Sequence, residues 1–438
     1  MAGASTTQAH EPWRPSHNPW LIAAAVMLAT FMEVLDTSVA NVSLPHIAGN
    51  LSVTTNEATW VLTSYLVSNA IVLPITGWLG NYFGRKNLLV ICVAIFTVAS
   101  ILCGMAPSLP FLVVARVLQG AGGGAMQPIA QAVLLESFPP QKQGVAMATY
   151  GMGVIVAPIL GPTLGGWITD NYSWRWIFYI NVPVGIMAIL MAQAFIEDPP
   201  YIKNAKIGSV DVLGFGFLAV WLGTLQVILD KGQQEDWFSS TWIAWFAVIS
   251  AFCFVAFVVR ELITDHPIVN LRVLKNRNFL AGVILITCLG GVLYGTTAAL
   301  PIFLQTMMGY PALQSGYALS PRGIAALITT FMVGRIIGKV PNRVLISIGF
   351  VLLAMSSFWL GLINLQISVW SIVWPSVLNG VAISFIFVAL TTSAMGHLRQ
   401  DQMGNAAGIY NLMRNLGGSL ASRLSRPSSR AARKCTRP

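Results

Sequence analysis

The chain has 438 residues, 55% of them hydrophobic and only 9% charged. A soluble domain carries about 25% charged residues, so this composition excludes one and points to an integral membrane protein. Strand-type alternation is absent and each apolar block is about 20 residues long, which fits membrane-crossing helices and excludes a barrel.

In chain order we expect about 13 spans. They lie near 20–43, 58–78, 87–105, 110–130, 144–167, 176–195, 211–229, 241–260, 279–304, 313–334, 344–362, 371–393 and 404–420. The net charge of +10 would suit nucleic acid, but its distribution argues against that partner. With the N-terminus in the cytoplasm, the inner loops hold Arg85, Lys86, Lys142, Lys203, Lys206, Arg260, Arg272, Lys275, Arg277, Arg335, Lys339, Arg343 and Arg399. The outer loops hold only Arg175 and Lys231, as the positive-inside rule demands. The first apolar run is too long for a cleavable signal and contains Asp36. Cys92, Cys103, Cys253, Cys288 and Cys435 suggest no disulfide framework, and the four in spans read as small buried hydrophobes.

The first span runs into "FMEVLDTSVANVSLP" (31–45) and so carries Glu33 and Asp36, about one turn apart. A charge at the bilayer centre costs on the order of 2.5–3.5 kcal/mol on insertion scales, so two acids there need a reason. Burial disfavours the charged form of a carboxyl, which lets it load and release a proton. Permanent pairing of Asp36 with a buried arginine is the competing reading, and for Glu33 a solvated, pore-facing acid. In "GWLGNYFGRKNLL" (77–89), Gly77 and Gly84 permit a tight turn, with Arg85 and Lys86 at the cytoplasmic surface. "RVLQGAGGGAMQP" (116–128) puts Arg116 in the fourth span. Arginine stays protonated, so it cannot carry the proton, but it can tune an acid as it approaches and withdraws; Asp36 is the expected partner. The glycine cluster at 120–124 allows close approach of a helix or a substrate. In "GMGVIVAPILGPTLGG" (151–166), Gly153, Ala157, Gly161 and Gly165 form a smooth stripe, and Pro158 and Pro162 bend the helix. Arg322 and Arg414 are further intramembrane charges, either functional or bonded to backbone carbonyls. "GAGGGA" (120–125) lies within a span and lacks a following Gly-Lys-Ser/Thr, so there is no nucleotide signature. Nor is there a metal cluster or a nucleophile–base pair. We therefore expect no enzyme and no cofactor, with energy drawn from an ion gradient.

The chain also repeats itself at an offset of about 260. "GWLGNYFGRK" (77–86) matches "GRIIGKVPNR" (334–343), "VLQG" (117–120) matches "VLNG" (377–380), and "GVAMATY" (144–150) matches "GNAAGIY" (404–410). Two related halves with a site between them suit a transporter. The expected layout is a cytoplasmic tail (1–18), a six-helix half (19–195), two added helices (196–262), an incomplete second half (263–420) and a basic tail (421–438). That tail breaks the pattern before a sixth span, which favours a truncated or frame-shifted end over a natural cytoplasmic tail.

These motifs resemble the 14-helix drug:proton antiporter branch of the major facilitator superfamily, the EmrB/QacA-type multidrug efflux pumps, and most closely the EmrB-like ones. The resemblance spans roughly residues 18–420 and rests on "LDTSVANVSLP" (35–45), "RVLQG" (116–120), the glycine–proline stripe and the 77–89 loop. It implies an all-α major facilitator fold of two pseudo-symmetric halves plus two intervening helices. It also implies a multi-pass protein of the bacterial inner membrane that exports hydrophobic, cationic compounds in exchange for protons. Proton coupling would fall to Asp36, Arg116 and Glu33. Gly153, Pro158, Gly161, Pro162 and Gly165 would form the antiporter motif. Gly77, Asn81, Gly84, Arg85 and Lys86 would form the gating loop. The superfamily usually has Asp at Asn81, so a hydrogen bond would replace the salt-bridged gate. Asn41, Gln119, Gln127, Arg322 and Arg414 are candidates for the substrate cavity. A periplasmic adaptor and an outer-membrane channel are the implied partners beside the lipid bilayer. A narrow exporter of one metabolite and a non-transporting truncated product are the alternatives.

Overall fold

In a computed structural model, the described residues are 15–199, 211–232, 235, 237–264, 267–304, 308–310, 312–363, 368–396, 398–399 and 402–424. Lys203, Lys206, Cys435 and the tail beyond 424 lie outside them. The described residues form no strand, only an isolated bridge between Ile337 and Val340.

The first half contains α1 (Pro19–Asn50), α2 (Thr55–Ala58), α3 (Trp60–Phe83), α4 (Arg85–Gly104), α5 (Leu109–Gly124), α6 (Met126–Ser137), α7 (Gln143–Asn171), α8 (Trp176–Tyr179) and α9 (Asn181–Phe195). Two further helices follow, α10 (Val212–Lys231) and α11 (Thr241–Ile263). The second half contains α12 (Arg277–Ile302), α13 (Ala312–Ile336), α14 (Asn342–Gly361), α15 (Trp370–Met395) and α16 (Met403–Leu424).

Local chemistry sets many of the ends. Asn18 caps α1 by accepting from the Trp20 amide at 3.0 Å, with Pro19 at the first position, where no amide donor is needed. Thr54 and Glu57 form a capping box on α2. Gly84 turns the chain between α3 and α4 at φ +81°, a region that disfavours side chains. Helix α1 continues through Pro45 to Asn50, beyond the end expected at the proline. The carbonyl freed by Pro45 belongs to Asn41, which is exposed, so no buried acceptor is stranded.

Ten helical segments are long and apolar enough to cross a membrane, and the bent α7 makes eleven. The other expected spans, α13 and α16, are helical but less apolar. They carry Arg322 and Arg335, and Asn405, Asn411, Arg414 and Asn415. Helices α5 and α6 act as one span broken after the glycine cluster, and α7 bends by 41° between Pro158 and Thr163.

Packing reproduces the repeat. In the first half α1 packs on α7, α3 on α5 and α4 on α5. In the second, α12 packs on α16, α13 on α15 and α14 on α15. The halves meet through α7 on α13 and α3 on α16. Glycines fix these contacts in matched pairs. Gly77 lies against Asn405, and its counterpart Gly334 lies against Ala148 and Val145. Both contacts sit at the end of the bundle that carries Arg85, Lys86, Arg335 and Lys339, so the halves are joined at this basic end. Helices α10 and α11 pair with each other, and α10 docks on α3 and α16. Arg260 grips Asp211 at 2.9 Å to hold their ends together.

Candidate functional site

The two acids of α1 share neighbours but not environments. Asp36 is 1% exposed and Arg116 is 0% exposed. Arg116 Nη1 donates to Asp36 Oδ2 at 2.6 Å and to Gln119 Oε1 at 2.7 Å, and its Nε donates to the Val61 carbonyl at 3.0 Å. Gln119 Nε2 and Asn181 Nδ2 donate to Asp36 Oδ1 at 3.0 and 2.7 Å, and both also reach Ser100 Oγ. The Arg116 guanidinium lies 4.4 Å from the Tyr65 ring centre. The lattice draws on α1, α3, α4, α5 and α9, all within the first half. Pairing the two charges and hydrogen-bonding most of their remaining valences makes their burial tolerable; Arg116 Nη2 alone of this pair has no hydrogen-bond partner among the described residues.

Glu33 is different. It is 3% exposed and forms no ion pair among the described residues. Its donors are neutral: Tyr65 Oη at 2.9 Å, Asn69 Nδ2 at 3.3 Å and Gln127 Nε2 at 2.6 Å. Gln127 in turn accepts from Arg414 Nη2 of the second half at 2.5 Å. One turn along, Asn411 Nδ2 donates to Gln131 Oε1 at 2.8 Å. Glu33 is thus wired across the interface between the halves through a glutamine and an arginine.

The glycine cluster makes this approach possible. A Cβ on Gly123 would stand 2.6 Å from Tyr65 Oη and 3.3 Å from Glu33 Cγ, and one on Gly124 would stand 2.7 Å from the Asn69 carbonyl. Here the glycines admit neighbouring helices. The stripe on α7 serves the same end. Gly153 faces Met27, Gly161 faces Ser38 and Gly165 faces Val39, all on α1. Ser38 Oγ donates to the Pro158 carbonyl at 3.2 Å, filling a valence freed by Pro162 in the ladder.

The gating loop differs from a surface anchor. Arg85 is 3% exposed and pairs with Glu136 of α6 at 2.7 Å, where the sequence pattern placed it at the membrane surface. Residues 196–199 run beneath the turn, and Asp198 accepts from the Lys86 amide at 2.9 Å. Lys86 Nζ donates to the Gln193 carbonyl at 2.6 Å. Asn81 makes no side-chain hydrogen bond among the described residues, so the hydrogen bond expected to replace the salt bridge is not formed there. The ion pair runs through Arg85 and Glu136 instead.

The cavity candidates separate. Gln119 belongs to the Asp36 lattice, because its face of α5 turns towards α4 and α9. Asn41 is exposed on the last turns of α1, away from the basic end. Gln127 and Arg414 join Glu33 at the interface, and Arg322 stands apart in the second half. Sequence reasoning missed Tyr65, Asn69, Ser100, Gln131, Glu136, Asn181 and Asn411. Their signal was a polar side chain within an apolar span.

Two pseudo-symmetric helical halves, joined at one end and linked at mid-bundle through Glu33, Gln127 and Arg414, define a secondary transporter. The sequence profile of the Major Facilitator Superfamily matches residues 26–422. The chain is 38% identical over 408 residues to the multidrug export protein EmrB of Haemophilus influenzae, covering 92% of this chain and 79% of that one. It is 38% identical over 404 residues to the fatty acid resistance protein FarB of Neisseria gonorrhoeae, covering 91% and 78%. Among solved structures, the proton:xylose symporter XylE superposes with a TM-score of 0.68 at 15% identity, covering 92% of this chain and 87% of that one. The chain belongs to the major facilitator superfamily, among its EmrB-like drug efflux transporters. It is a multi-pass membrane transporter and not an enzyme.

Proposed function

We propose that this transporter is a proton-coupled antiporter that exports hydrophobic compounds, cations among them, across the bacterial cytoplasmic membrane by alternating access. The N-terminus and the basic end face the cytoplasm. Closure of the halves at that end fits the outward-facing member of an alternating pair.

One observation carries the coupling: Glu33 is buried, bonded only by neutral donors, and connected through Gln127 to Arg414 of the opposite half. Glu33 takes up the proton. Neutralising it weakens its hold on Gln127 and so on Arg414, which loosens the link between the halves. Asp36 and Arg116 act behind it as a charged pair whose geometry sets the positions of Tyr65 and α5. Arg85 and Glu136 hold the cytoplasmic ends.

The energetics are sufficient. One proton exchanged for one monovalent cation moves no net charge, so the pH gradient alone drives export at about 1.4 kcal/mol per unit. A neutral substrate also draws on the potential, about 2.3 kcal/mol per 100 mV. The relatives' names speak of multidrug export, of fatty acid resistance and, in Acinetobacter baumannii, of colistin resistance. That spread supports a broad substrate range here. A periplasmic adaptor and an outer-membrane channel would receive the exported compound, an extension that rests on family resemblance alone.

The test is pH-gradient-driven uptake of a fluorescent lipophilic cation into everted vesicles, comparing the parent chain, Glu33→Gln and a vector control. Uptake by the parent and its loss in the variant is the expected result. Full-rate uptake by Glu33→Gln would refute the coupling.

A further inference from the structure

The second half contains a counterpart of the Asp36 lattice with its charges rearranged. A Cβ on Gly120 would strike the Tyr65 carbonyl, and one on Gly380 would strike the Arg322 carbonyl. Tyr65 and Arg322 therefore hold equivalent places on the second helix of each half. Counting back from the two glycines, Arg116 corresponds to Ser376 and Gln119 to Asn379. In the first half these three positions are mutual neighbours, with Arg116 bonded to Gln119 and stacked on Tyr65. The same backbone contact sets Arg322 on α13 opposite the stretch of α15 that carries Ser376 and Asn379.

In the first half Asp36 completes the set. The second half offers no acid. Between Asp265 and Asp401 the sequence has no Asp or Glu, so its spans carry no carboxylate. Arginine stays protonated, and Arg322 forms no ion pair among the described residues. Around it, valences stand open. Arg322 Nη2, Ser376 Oγ, Asn379 Nδ2 and Asn379 Oδ1 are all buried without a hydrogen-bond partner among the described residues. Ser376 is 0% exposed and Asn379 1%. Buried polar groups are ordinarily satisfied, and four open atoms on these three side chains, one of them an unpaired cation, mark a place for a ligand. Ser356 does not fill it, because its hydroxyl is bonded to the Pro375 carbonyl at 2.8 Å.

The donors select the ligand. A guanidinium fork, an amide and a hydroxyl match the two oxygens of a carboxylate in charge and geometry. Outward of them, Ala318 and Ile372, each one turn away, belong to an apolar cluster with Leu300 and Leu304. We propose that Arg322, Ser376 and Asn379 form an anion site that takes the carboxylate head of an amphiphilic substrate. The proposal rests on reading the chain as an exporter with its substrate between the halves, and it assigns the residues that take an acidic head, a chemistry already carried by the name of the fatty acid resistance relative.

The test uses the purified full chain in nanodiscs and two probes, a dansyl-labelled long-chain carboxylate and its carboxamide. Binding is followed by dansyl emission against empty nanodiscs. The parent should bind the carboxylate about tenfold more tightly than the carboxamide, the size of effect a charge-assisted pair provides. Arg322→Gln should bring the two affinities together while leaving that for the carboxamide unchanged, which also reports an intact fold. Arg322→Lys should keep part of the preference, since the charge remains and the fork is lost. If Arg322→Gln does not fold, Asn379→Leu serves in its place and should lower the preference. No preference in the parent, no binding of either probe, or a preference that survives these variants would overturn the proposal. Glu33→Gln should keep the carboxylate preference, so a failed proton-coupling result and a failed anion site are told apart.

Discussion

Replacing Asp36 by Asn tests the lattice at its most buried point. The change preserves shape but removes the only carboxylate paired with Arg116 among the described residues, and Arg116 is 0% exposed. The asparagine keeps one acceptor, which three donors now contest: Arg116, Gln119 and Asn181. Its new NH2 group has to face one of them. Breaking a buried pair on one side costs about 3–5 kcal/mol, because an uncompensated charge remains. For a chain of 438 residues that corresponds to a fall of roughly 3–5 °C in apparent Tm. The assay is thermal unfolding of the purified chain, run as a cycle with Arg116→Gln and the double variant. The double variant removes both charges and should recover at least about half of the loss. If Asp36→Asn is as stable as the parent, or the cycle shows no coupling, the pair is not what holds this region together.

Glu33→Gln should leave apparent Tm within about 2 °C, since its partners are neutral, while cutting pH-driven uptake at least tenfold; vesicle uptake beside thermal unfolding separates the two effects. Gly161→Val should drive into Ser38 and split α1 from α7, costing on the order of 1–3 kcal/mol, read as a lower yield of monodisperse protein. Gly77→Val should prop the halves apart at the basic end, where Asn405 lies against it, and raise the labelling rate of a cysteine placed at Asn405. Burial alone would raise the Asp211 carboxyl, but hydrogen bonds from Arg260 and the Gly214 amide outweigh it and hold the group below its ordinary value. Its contribution is therefore present at neutral pH and lost as pH falls below about 4. Asp211→Asn should remove that acid-sensitive part, measured as proteolytic release of the α10–α11 pair.

Much of the site could be read in the sequence because ionisable residues inside apolar spans are conspicuous. Glu33, Asp36, Arg116 and Arg414 stand out by cost alone. The expected pairing of Asp36 with Arg116 is present at 2.6 Å. The four-residue spacing on α7 marks one smooth face, and the structure sets that face against α1. The different settings of Glu33 and Asp36 could not be read. They lie about one turn apart on α1, and what separates them is which neighbours supply donors: an arginine for one, a tyrosine and two amides for the other. Gln119 was mistaken for a cavity residue for the same reason, since spacing gives a helix face but not what that face meets.

The sequence by itself determined that this is a helical membrane protein, that it is built from two related halves, and that charges are held inside it. Length, apolarity and repetition are properties of the chain, and the bilayer converts them directly into spans. Only the tertiary structure decided which charges are paired. Arg116 and Arg322 look alike in sequence, each an arginine in a span near a Gly contact. Folding brings Asp36 to the first and, among the described residues, no carboxylate to the second, because partners are set by packing between segments 80 or more residues apart.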